Sequence, residues 1–246
     1  MKTRLPQSVC AAVVCSLTAI TSLSGSALGA DIPTGFIKAS APVVRVGEFP
    51  KINWEINYPV TVADVIKVPS PGVMVPSRDV KMDVRMLGAG VTVSYKDGSN
   101  MHFATEEAFF KIGGSSYQSL FYGTNDDVSQ GVVLRSQEVS ANTPIYFKGR
   151  YWDENTRAWS VSRASGDGSG NVQVLKNGDR LPTTYNIANA PTLEGFLKPY
   201  LDSGGRLKIG PMDMVVAIEL THTQDQRTEL GYDLQDLVFL VTFKND

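Results

Sequence analysis

Past residue 30 this sequence contains no cysteine; its only two, Cys10 and Cys15, lie in the opening stretch. That absence excludes disulfides, thiol catalysis and cysteine-based zinc sites from the rest of the chain. Histidine is nearly as scarce. His102 and His222 are far apart, and neither has a second histidine spaced to share a metal or support a base. Each therefore reads as a surface or strand-end side chain. A basic excess is missing as well. Of 23 Lys and Arg, Lys2 and Arg4 belong to the opening stretch, which leaves 21 against 25 Asp and Glu, a net charge of −4. Without a basic run, nucleic acid and anionic membranes are poor partners. No apolar span follows the first one, so the mature chain is expected to have no membrane span.

What the opening stretch does contain is a three-part secretory signal. Lys2 and Arg4 give a positive start, Val9 to Ile20 an apolar run, and Ser24 to Ala30 small residues for cleavage. The run is shorter than the ~20 residues that span a bilayer. Both cysteines follow Val, which does not suit a lipoprotein anchor. Cleavage after Ala27, Gly29 or Ala30 is compatible with the pattern, and removing residues 1–30 leaves about 216. The chain is thus expected to be secreted, periplasmic or at the cell surface, with one core large enough to need no covalent staples.

The organisation expected is residues 1–30 as signal, 31–42 as an extended lead-in, and 43–246 as a single domain. Strand signals dominate that domain. Lys51 to Tyr58 alternates, with Ile52, Trp54, Ile56 and Tyr58 on one face. Three prolines between Asp64 and Pro76 suit an edge or a crossing loop. Asp83 to Tyr95 reads as two short strands around Gly88 and Gly90 or one strand bent at a bulge. Lys96 to Asn100 is a turn. Further strands are expected at 108–112, 118–122 and 132–137. Residues 145–152 should face 158–164 across a loop beginning at Asp153, and Asn177-Gly178 after Val172 to Leu175 signals a hairpin. One helix stands out, near residues 192–202, where Leu193, Phe196, Leu197, Tyr200 and Leu201 form a stripe. Asn189 or Thr192 would cap it, and Gly195 and Pro199 should keep it short or kinked. Met214 to Leu220 and Leu237 to Phe243 are nearly continuous apolar runs, as expected for strands covered on both faces. The fold class is mostly β, a β-sandwich or jelly-roll-like architecture with that one short helix.

No reaction is specified by pattern. Neither GGSSY at Gly113 nor GDGSG at Gly166 makes a nucleophile elbow. An EF-hand register on Gly168 or Gly170 puts Arg163 or Lys176 where calcium needs a carboxylate. Acids do gather near the C-terminus. Glu219 closes one apolar strand and Asp233 and Asp236 precede the next, with Asp225 and Glu229 on the loop between. If these strands pair, Glu219, Asp233 and Asp236 meet at one sheet end, where a hard cation such as calcium would relieve their repulsion. Tyr151, Trp152 and Trp159 are a second group, on the aromatic hairpin. They could stack on a sugar, or pack as a cross-strand core, and Tyr151 has the opposite strand parity from Trp152.

Residues 213–243 resemble the C-terminal signature of secreted bacterial domains of unknown function that occur in adhesins and surface proteins. That signature is an apolar strand ending F-E-D, a short loop, and D-x-D-x-N-D before a last apolar strand. Glu219, Asp233 and Asp236 match acids of it, whereas Leu220, Tyr232 and Gln235 replace others and the loop is longer here. The resemblance implies a surface-associated domain. A non-catalytic structural or binding module is expected, with a surface protein or a glycan as partner; a carbohydrate-active protein using the aromatic hairpin is the alternative.

Overall fold

The computed structural model of the chain describes residues 33–40, 51–94 and 99–244. The signal at 1–30 and most of the turn at 96–100 lie outside them. In chain order the elements are β1 (Thr34–Ser40), β2 (Lys51–Asn57), α1 (Val62–Val65), β3 (Ile66–Ser70), β4 (Val73–Pro76), β5 (Val80–Ala89) and β6 (Thr92–Val93). They continue with β7 (His102–Phe103), β8 (Glu106–Ile112), β9 (Gln118–Gly123), β10 (Val133–Val139), β11 (Ile145–Asp153), β12 (Ala158–Trp159), β13 (Arg163–Ala164) and β14 (Val172–Lys176). Last come α2 (Leu193–Leu197), β15 (Asp213–Ile218) and β16 (Leu237–Lys244).

The strands build a mostly β, sandwich-like fold. One sheet runs β10-β5-β16-β15-β14, and the other runs β3-β4-β11-β8-β9 with β12 and β13 on β11. All their pairings are antiparallel. Strand alternation aims Met82, Val84 and Met86 of β5 and Phe239, Val241 and Phe243 of β16 at Phe110, Ile145 and Phe147 of the opposite sheet. Phe147 and Phe239 meet across this interior with ring centroids 5.6 Å apart. The outer face of β15 and β16 (Val215, Ala217, Val238, Leu240) is covered by a second cluster containing Leu193, Leu197, Leu207, Ile209 and Leu234. Burial on both faces is why these two strands carry uninterrupted apolar runs.

Thr192 caps α2, its Oγ1 accepting from Gly195 N at 2.9 Å, and the chain tightens into a 3₁₀ turn over Lys198–Tyr200, which contains Pro199. The short, kinked helix follows from those residues. Its Phe196 ring lies where a Cβ on Gly88 would be, 2.4 Å from the nearest ring carbon, so β5 needs glycine there. The Pro-rich segment 64–76 forms β3 and β4 at a sheet edge, where a missing N–H is tolerated.

One local expectation is corrected. Asn177-Gly178 does not join neighbouring strands: β14 pairs with β15, and the turn instead binds residues further on, with Gly178 N donating to Leu207 O and Ile209 N to Asn177 Oδ1. Lys51–Asn57 pairs with Thr34–Ser40 of the lead-in, not with either large sheet. In that two-stranded ribbon Gly35 and Ile37 register against Ile56 and Trp54. Ile37 is 79% exposed and Trp54 68%, with Ile52 and Ile56 exposed too.

Candidate functional site

β15 and β16 are antiparallel neighbours with Ile218 opposite Leu237, so the residues flanking them, Glu219 and Asp236, meet at one sheet end. Asn171 fixes the chain leaving β15, its Nδ2 donating to Glu219 O (3.0 Å) and His222 O (2.6 Å). The loop returns through Leu234, which takes the left-handed φ of 56° yet is fully buried. That conformation costs a leucine ~1–2 kcal/mol, and it sits between Asp233 and Asp236, turning the chain where both carboxylates face inward.

The structure thus brings together the three acids singled out from sequence. Glu219, Asp233 and Asp236 each offer a carboxylate oxygen within 4.8 Å of the others. All three are at most 2% exposed. Asp225 and Glu229 stay on the exposed loop. Glu219 is the best-held of the three. Its Oε1 accepts from Thr221 N, Thr221 Oγ1 and His222 N at 2.7–3.0 Å, and its Oε2 from Asp233 N and Leu234 N at 3.0 and 3.2 Å. Asp236 Oδ2 accepts from Leu220 N and Thr221 N. Asp233 has only longer contacts, from Gln235 N (3.4 Å) and Gln235 Nε2 (3.3 Å).

A fourth buried carboxylate, missed in the sequence, approaches these three from the opposite sheet. Glu106 on β8 is fully buried; its Oε1 accepts from Val91 N at 3.0 Å, and its Oε2 is buried without a partner. The available signal was strand parity, because Glu106 shares a face with Ala108 and Phe110, an acid in an apolar register. The backbone at Gly90 closes the gap between the sheets. Gly90 N donates to Asp236 O (2.8 Å) and Gln235 Nε2 to Gly90 O (2.9 Å). A Cβ on Gly90 would lie 1.5 Å from Gln235 Oε1 and 2.7 Å from Gln235 O, so only glycine admits this approach.

Burial makes the charges expensive. It pushes the Asp236 carboxyl well above its ordinary range, and Glu219, Asp233 and Glu106 push it further. Asp233 is raised to about 7, first by burial and then by Glu219. Glu106 is raised well above its usual value by burial and by Asp233, against the Val91 bond. The same negative field, after burial and Asp153, lifts the Tyr151 hydroxyl. Among the described residues no lysine or arginine ion-pairs with any of the four; the nearest cationic candidate is His222, with Nδ1 3.5 Å from Glu219 Oε1.

The aromatic trio separates. Trp152 and Trp159 are register partners packed edge-to-face at 5.7 Å, and Tyr122, which sequence reading left out, extends them at 6.2 Å from Trp159. Arg150 lies over the Trp159 ring (4.6 Å) and ion-pairs with Glu107. Tyr151 points the other way, against the inner core. His102 bridges Asn100 O and Glu154 on the surface, both contacts at 3.0 Å.

No protein-family profile, curated protein or solved structure matches this chain.

Proposed function

We propose that the chain is an exported, non-catalytic structural or binding module of the cell surface, periplasm or extracellular space, and that the β1–β2 ribbon attaches it to a surface protein. The observation that carries this is the uncovered apolar face of the ribbon, formed by Ile37, Ile52, Trp54 and Ile56. A two-stranded sheet is marginal alone in water, and an apolar face of this kind marks an interaction surface. Covering it gains roughly 25 cal/mol per Å². The four-carboxylate site supports a non-catalytic role, since residues at most 2% exposed present no surface to a substrate. The leader and the resemblance of residues 213–243 to surface-associated domains point to export.

The test is fractionation of the source cells expressing the full chain. The expected product starts between residues 28 and 31 and sediments with the envelope, whereas Trp54→Asp is exported equally but moves to the soluble fraction. A full-length product in the cytoplasm, or a Trp54→Asp protein that stays with the envelope, contradicts the proposal.

The second reading, glycan binding, is favoured by the Tyr122–Trp159–Trp152 edge beside the Glu107–Arg150 pair. It requires glycan-array binding that Trp159→Ala removes.

A further inference from the structure

We propose that Glu106, Asp233 and Asp236, with Glu219 holding the loop, form a calcium site that ties the two sheets of the sandwich together. The site does not depend on the ribbon or on where the protein resides.

The decisive feature is an interior with acceptors and no donors to match. Three buried carboxylates, Glu219, Asp233 and Asp236, converge at the ends of β15 and β16. Glu106 approaches from β8 on the other sheet, its Oε1 accepting from Val91 N next to Gly90, whose own N donates to Asp236 O. Glu219 is already filled by five N–H and O–H donors, so it shapes the loop and contributes charge. Among the described residues three buried side-chain oxygens have no hydrogen-bond partner, Glu106 Oε2 and Gln235 Oε1 on this side and Asn171 Oδ1 beside the chain leaving β15. Gln235 Nε2 donates to both Asp233 Oδ2 and Gly90 O, which sets the Gln235 side chain between Asp233 and the backbone that holds Glu106 through Val91 N. Both amide bonds to Asp236 fall on Oδ2. Burying polar oxygens unpaired costs several kcal/mol each in apolar surroundings, and buried charge is found paired or on a metal. Among the described residues no lysine or arginine supplies the pairing here.

The donor set selects the ion. It is all oxygen, anionic, and lacks the nitrogen and sulfur that favour zinc or copper. Magnesium keeps several waters in a strict octahedron, which a site this buried does not suit; calcium accepts more protein oxygens in looser geometry.

The test is thermal unfolding of the mature protein in chelator, then in calcium or magnesium, for wild type and Glu106→Gln. At a hundredfold excess over the dissociation constant, wild type should gain about 5–10 °C in calcium and far less in magnesium. Glu106→Gln keeps the shape and one oxygen to accept from Val91 N while removing the charge and the unpartnered Oε2, so in chelator it should melt at or above wild type and lose the calcium response. A wild type that ignores calcium overturns the site, leaving protons to neutralise the carboxyls. Magnesium matching calcium overturns the choice of ion, and a Glu106→Gln protein that gains as much as wild type overturns the link between sheets. Should that variant fail to fold, equilibrium dialysis of wild type with radioactive calcium decides: a single bound ion per chain supports the site and none overturns it.

Discussion

Truncation after Asp236 should abolish folding. The deletion removes β16, which lies between β5 and β15 in the middle of its sheet. With it go Leu237, Val238, Phe239, Leu240, Val241 and Phe243, none more than 6% exposed. Fully burying one such side chain contributes ~1.5–3 kcal/mol, so six approach or exceed the ~5–15 kcal/mol that a domain has in total. The loss also strips two ladders of hydrogen-bond partners and opens both apolar clusters, because β16 feeds the sandwich interior with one face and the α2 side with the other. Circular dichroism of the truncated chain should show no cooperative melt. A sharp transition near the wild-type temperature would show that the sheet closes without its central strand, against the topology described.

Glu219→Ala should have the next largest effect, a loss of about 4 kcal/mol or more in urea unfolding. Four backbone amides, those of Thr221, His222, Asp233 and Leu234, lose their carboxylate acceptor together. Each such group left buried and unsatisfied costs ~1–3 kcal/mol. Of these, Asp233 N and Leu234 N are buried and carry most of the loss, whereas Thr221 is exposed and His222 half-buried, and Thr221 N keeps a second contact to Asp236 Oδ2 at 3.3 Å. Relief of repulsion with Asp233 and Asp236 works in the opposite direction, yet removing one charge cannot replace the donors' partner. Glu219→Gln, retaining one carbonyl oxygen, should fall between. A loss under about 1 kcal/mol for the alanine variant would mean that the loop reorganises and that Glu219 does not hold it.

Both predictions concern the part of the chain that sequence patterns describe best. Consecutive apolar runs joined by a loop pair readily as antiparallel neighbours, so the meeting of Glu219 with Asp233 and Asp236 followed from their place at the strand ends. The short capped helix was legible in Thr192, Gly195 and Pro199 for the same local reasons. What stayed hidden is non-local. Glu106 reaches the acids from a strand 113 residues before Glu219, and no spacing rule connects them. The partner of β14 is likewise distant, which is why Asn177-Gly178 misled: the dipeptide encodes a tight turn but not what lies beyond it. Alternation in Lys51–Asn57 announced a strand and its apolar face, but not that this face remains open to solvent. Parity separated Tyr151 from Trp152, as the structure does, whereas the contribution of Tyr122 on β9 depends on its contact with Trp159, 37 residues further on, which neither strand reports alone.

Hydrogen exchange of the mature protein, first in chelator and then with calcium, tests the cation-tied sandwich most directly. A shared calcium ion should slow exchange in two places at once: the amides of Leu220, Thr221, Asp233 and Leu234 beside β15 and β16, and those of Val91 and β8 on the Glu106 side. Protection confined to residues 219–236, or no change anywhere, would contradict a calcium ion joining the two sheets.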